Sequence, residues 1–180
     1  MLPIRKDHPL KHLFAGLVEH AFQTELGICD PAVADYLSDL LIEFVRMDEM
    51  SIARDVAGRP VAEVADLIGQ CELTGGLSPL ARDRFVHRRL GDYTLFWTGI
   101  YPEGVKRVAG PSWRDTVAEY VNFGKRSYAI ASELTPLDEL PPPRLLRRLS
   151  EEFESCVHGL GLVRQELGTP GPNDGPEIIY

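Results

Sequence analysis

The sequence predicts an all-α protein: a single-domain bundle of six to seven helices over residues 1–167, with an irregular Pro/Gly-rich C-terminal tail at 168–180. Three observations predict it. Apolar residues recur at the helical period near 3.6 in six segments. Proline opens most of those segments and glycine follows several; proline suits a first turn because the N–H it lacks has no partner there anyway. A chain of 180 residues with 44% hydrophobic and 26% charged side chains is long enough, and apolar enough, to bury a core.

The first helix runs from about Pro9 to Leu26, with Leu10, Leu13, Phe14, Leu17, Val18 and Ala21 on one side and Gly27 as its stop. Asp30-Pro31 opens the second. Asp30 supplies an N-cap acceptor, and Val33, Leu37, Leu40, Leu41, Phe44 and Val45 face inward as far as about Met47. Residues 48–59 read as an irregular link or a small hairpin. A third helix starts at Pro60 with Val61, Val64, Ala65 and Ile68, and Gly75-Gly76 ends that region. Ser78-Pro79 starts a fourth that reaches about Arg89, with Asp83 in its first turn complementing the helix dipole. Gly91-Asp92 is expected to bend or restart the chain. The stretch LGDYTLFWTGIYPE, residues 90–103, then crowds seven large apolar or aromatic side chains into one helix.

Residues 102–111 read as a loop. The helix from about Ser112 to Leu134 repeats Trp113, Val117, Tyr120, Val121, Gly124, Tyr128 and Ala131 on one side. Gly124 costs about 1 kcal/mol against alanine in a helix interior. Its place on the apolar stripe predicts that a neighbouring backbone or a flat group comes close. Pro141-Pro142-Pro143 forms a stiff link, because each proline disfavours helix at the residue before it.

From Arg144 the last helix carries Leu146, Phe153, Leu160 and Leu167 every seven residues, with Leu149, Cys156 and Val163 between them. This a/d pattern either packs against its own bundle or forms a coiled-coil-like seam with a second copy. Gly159 and Gly161 argue against a long free-standing coiled coil. The tail ends in Ile178-Ile179-Tyr180, which is expected to fold back over the core, with docking on a partner as the alternative.

Charge and targeting narrow the function classes. Nineteen basic against 27 acidic residues give a net charge of −8, whereas a binder of the phosphate backbone needs a concentrated positive surface. Two basic clusters exist, but Asp83 interrupts Arg82, Arg84, Arg88 and Arg89, and Glu151, Glu152 and Glu154 follow Arg144, Arg147 and Arg148. Both read as solvated helix faces, and nucleic acid is not an expected partner. No apolar run approaches the ~20 residues of a membrane span, and MLPIRKDHPLK lacks a signal-peptide core. A cytoplasmic location follows. Cys29, Cys71 and Cys156, odd in number and without a C-x-x-C, read as buried free thiols.

Catalytic and metal signals are weak. Two-metal bundle enzymes need Glu-x-x-His pairs, and none occurs here; Glu154 and His158 are four apart, which suits an ordinary i,i+4 contact. His8 and His12 share that spacing, but zinc generally takes three or four protein ligands. His20 beside Glu19 reads as a surface or hydrogen-bonded histidine. No G-x-S-x-G elbow is present, and Gly75-Gly76 lacks the lysine of a P-loop. No catalytic residue, metal or cofactor is expected.

What remains is Asp92, Tyr93, Trp97 and Tyr101, joined from the next helix by Tyr120 and Tyr128, with Arg84, His87 and Arg88 one to two turns earlier. Tyr and Trp bury large areas but carry polar tips that need partners. These residues form either an aromatic core with satisfied hydroxyls or a pocket for a flat or apolar ligand with charge at its mouth. A closed cavity of at least ~300 Å³ would mark the pocket.

The pattern G-D-x-x-L-F-x-x-G-x-x-P-E, here Gly91, Asp92, Leu95, Phe96, Gly99, Pro102 and Glu103, resembles one shared by uncharacterised bacterial all-helical proteins. The stretch from Tyr36 to Leu41 is similar to them too. The resemblance covers the first helix to about Leu167 and implies a complete bacterial cytosolic domain. It brings no known activity, cofactor or catalytic residue.

Two function classes follow. The first is a non-enzymatic interaction or scaffold protein that self-associates through Leu146, Leu149, Phe153, Leu160, Val163 and Leu167. The alternative is a binder of a small or lipid-like molecule near Tyr93, Trp97 and Tyr101. A metal-dependent bundle enzyme is a third reading.

Overall fold

A computed structural model describes residues 9–51, 78–103, 113–136 and 138–168. Six α-helices are present among them: α1 (Pro9–Glu19), α2 (Pro31–Ser51), α3 (Pro79–Gly99), α4 (Trp113–Leu134), α5 (Pro143–Glu151) and α6 (Phe153–Gly168). The described residues contain no strand, so the all-α expectation holds for them. The helix expected from Pro60, the Gly75-Gly76 turn, Cys71, His8 and the tail from residue 169 lie outside the described residues.

Local chemistry explains most helix ends. α1 passes into a π-helical turn, His20–Glu25, and the chain reverses at Gly27, whose φ of +66° belongs to the left-handed region that favours glycine. Asp30 caps α2 as expected, its Oδ1 accepting from the Ala32 and Val33 amides at 3.2 and 3.3 Å. Ser78 caps α3 by accepting from the Ala81 amide at 3.2 Å. α2 runs to Ser51, past its expected end near Met47.

Two boundaries differ from expectation. The fourth helix was expected to stop near Arg89 and restart after Gly91-Asp92, but α3 is one helix of 21 residues. Gly91 serves close packing rather than a bend: a Cβ there would lie 2.7 Å from Cδ1 of Tyr128. Conversely, the single helix expected from Arg144 divides at Glu152, whose φ of −99° and ψ of +22° leave the helical region. The apolar stripe passes through the break without losing register. Leu146, Leu149, Phe153, Cys156, Leu160 and Val163 are all buried in the core of this chain, and only Leu167, 47% exposed, faces outward. The heptad pattern therefore closes the chain's own bundle, and these buried positions present no free seam to a second copy.

α3 is the central element. It runs antiparallel to α4, since Gly91 meets Tyr128 and Thr94 meets Gly124. At Gly124 a Cβ would sit 2.4 Å from both Cζ of Phe153 and Oγ1 of Thr94, so the flat group expected there is the Phe153 ring. α6 crosses α3 at Gly99, against Leu160, and meets the π-helical turn at Gly159, where the Phe22 ring fills the place of a side chain. Cys156 is buried as expected, but Cys29 is exposed.

Candidate functional site

Arg84, Arg88 and Asp92 stand four residues apart on α3, and so lie on one face, one turn above another. The deepest, Asp92, is 4% exposed. Its Oδ1 accepts from the Tyr36 phenol of α2 at 2.5 Å and from the Tyr128 phenol of α4 at 2.8 Å. Its Oδ2 lies 3.6 Å from Arg89 Nη1, which pairs at 2.8 Å with Glu43 of α2. A buried carboxylate is tolerable only when paired and hydrogen-bonded, and this one is both. Burial first, then the charge of Asp92, push both phenols well above the ordinary tyrosine range, so they stay protonated and keep donating. Asp92 is thus a tie between three helices.

One turn earlier, Arg88 has no carboxylate partner among the described residues. Its Nε is buried without a hydrogen-bond acceptor, and its guanidinium carbon lies 5.8 Å from the centroid of the Phe85 ring. A further turn up, Arg84 forms an ion pair with Glu139 on the α4–α5 connection. Between these groups opens a cleft of about 190 Å³, lined by Ala81, Arg84, Phe85 and Arg88 of α3, Thr135 at the end of α4, Glu139, Leu140 and Pro141 of the connection, and Leu146 of α5. An apolar cavity near 150 Å³ holds benzene, so this one has room for a single ring or a short chain. It is smaller than the ~300 Å³ of a drug-sized site. The cleft combines an apolar wall with cationic side chains.

Of the residues expected to form the site, Arg84 and Arg88 line the cleft, while Asp92 and Tyr128 form the tie beneath it. Tyr93, Trp97 and Tyr101 do not line it. They form a ladder of rings, with centroids 5.9 Å apart for Tyr93–Trp97 and 5.7 Å for Trp97–Tyr101. Phe44 of α2 stacks on Phe96 beside them at 4.2 Å and 8°. Those rings pack on one another, whereas the cleft opens toward the other end of α3. Within the ladder, Trp97 Nε1 is buried without an acceptor.

His87 is half-buried and outside the cleft lining. Burial lowers its pKa and Arg126 adds to this, against the raising effect of Asp83. Tyr120 is half-buried on α4, its phenol pKa raised by burial. His20 pairs with Glu166 at 3.0 Å, and among the described residues no group of three His, Cys, Asp or Glu side chains is placed to hold a metal ion.

Tyr36, Glu43 and Arg89 are the participants that the sequence reading missed. The cluster of Arg82, Arg84, Arg88 and Arg89 was expected to be a solvated face, yet Arg89 is buried and the other three are half-buried. The available signal was the i,i+3 spacing of Arg89 and Asp92, which places the two charges side by side on a helix. The chain matches no protein-family model, and neither the curated proteins nor the solved structures include one significantly similar to it.

Proposed function

We propose that this protein binds a small organic molecule in the cleft between α3 and the α4–α5 connection. The observation that carries this reading is Arg88, which lines a partly apolar cleft and has no carboxylate partner among the described residues. A ligand oxygen placed in the cleft would give this guanidinium its anionic partner, while Phe85 and Leu146 would cover the ligand's apolar body.

The self-association reading stood on the heptad stripe, which this chain uses for its own core. The cleft is the better-supported site. Its test is ligand-observed NMR of the untagged full chain against a set of single-ring fragments, beside native mass spectrometry for retained ligand. Binding should be seen in the native protein and lost in Ala81→Leu, which fills the cleft from its half-buried wall, with the melting temperature kept. Equal binding by both proteins, or none by either, would overturn the reading.

A further inference from the structure

We infer that the ligand of this cleft is a small monocarboxylate, taken up in exchange for Glu139. The inference rests on the binding reading above and adds the chemical class. Arg84 is answered by Glu139, and Arg89 by Glu43 and Asp92, but Arg88 has no contacting carboxylate among the described residues. Asp92, one turn deeper, is not in ion-pair contact with it and is engaged by the two phenols and by Arg89. The cleft therefore holds two guanidiniums and one carboxylate.

That carboxylate is the movable one. The Glu139 side chain is 40% exposed on a connection between helices, whereas Arg84 is 19% exposed on the wall of the cleft. Glu139 can rotate into water, where its carboxylate is solvated, while a ligand carboxylate takes its place on Arg84. Arg84 would then face the cleft beside Arg88. A planar carboxylate matches the fork of a guanidinium, Glu139 already shows that Arg84 accepts one, and the apolar wall of the cleft favours an anion with an apolar body over inorganic phosphate. The lining of Phe85, Pro141 and Leu146, with a volume of about 190 Å³, leaves room for one ring behind the charge.

Isothermal titration calorimetry on the untagged full chain would use benzoate, its neutral analogue benzamide, and inorganic phosphate. Benzoate is expected to bind at least tenfold more tightly than benzamide, and phosphate not measurably. Glu139→Gln should tighten benzoate severalfold by releasing Arg84. Arg88→Gln should abolish binding, and Arg88→Lys, which keeps the charge but loses the fork, should fall between. Equal affinity for benzoate and benzamide would overturn the carboxylate inference and leave the binding reading standing. Tighter phosphate binding than benzoate would do the same. Failure of all three probes with both the native chain and Glu139→Gln would overturn both.

Discussion

Tyr36 and Tyr128 come from different helices and donate their phenol protons to the same atom, Oδ1 of Asp92, at 2.5 and 2.8 Å. Sharing one acceptor makes the aspartate, not either tyrosine, the critical member. Asp92→Ala would take the shared acceptor from both phenols and remove the Asp92 contact of Arg89. A loss of about 3–5 kcal/mol is expected, the range for breaking a buried charged contact. Tyr36→Phe and Tyr128→Phe should each cost less, about 1.5–3 kcal/mol, the range for a hydrogen bond to a charged group. Asp92→Asn keeps an acceptor oxygen and should fall between. Urea unfolding midpoints at neutral pH check the order, and an Asp92→Ala effect no larger than that of either tyrosine would refute it.

The same site sets the response to alkali. Both phenols have pKa values raised by burial and by the Asp92 charge, so the folded chain holds protons that the unfolded chain releases near pH 10. Their contribution is intact below about pH 10 and is lost as pH rises toward the folded values. Each tyrosine should steepen the decline by about 1.4 kcal/mol per pH unit. Urea unfolding between pH 8 and 11 should therefore show a shallower fall for Tyr36→Phe than for the native chain. Parallel slopes would mean that the folded phenol titrates normally.

Glycine substitutions separate packing from propensity. In Gly124→Ala the new Cβ would stand 2.4 Å from Phe153 and Thr94, both buried, so the cost of overpacking, about 1–3 kcal/mol, should outweigh the helix-propensity gain of about 1 kcal/mol. Gly16→Ala, on α1 with open space around it, should stabilise by up to about 1 kcal/mol. Thermal melts of the two variants should move in opposite directions. Combining Phe153→Leu with Gly124→Ala should give a smaller loss than the sum of the single changes, because each makes room for the other.

Helix existence was legible because it rests on local chemistry: Asp30 and Ser78 cap as their residue types require, and Gly27 stops the first helical segment by its positive φ. The presence of a flat group at Gly124 was legible too, because a glycine on an apolar stripe has a packing reason. Gly91-Asp92 misled for the converse reason. It has the composition of a break, yet Tyr128 supplies both the ring that Gly91 must admit and a donor for the Asp92 carboxylate. Neither is visible without knowing that α4 lies antiparallel to α3. The site followed the same pattern. Arg84 and Arg88 could be named from helical spacing, but the partners Glu139 and Tyr36 are 55 and 56 residues away from Arg84 and Asp92. Long-range pairing of that kind leaves no periodic trace in the chain.

The two described cysteines should differ sharply in reactivity. Cys29 is exposed, whereas Cys156 is buried in the core, and burial followed by the charges of Glu152 and Asp30 pushes its thiol up to about 12. At pH 8 that leaves roughly one Cys156 in ten thousand as the reactive thiolate, and the core bars the reagent besides. N-ethylmaleimide on the native chain, followed by peptide mapping, should label Cys29 within minutes and leave Cys156 unmodified. In urea above the unfolding midpoint both should react alike. Labelling of Cys156 in the native state should instead track opening of the α3–α6 core, so Asp92→Ala should accelerate it by the same factor by which it raises the unfolded population. Rapid labelling of Cys156 in the stable native chain would contradict its burial in the core.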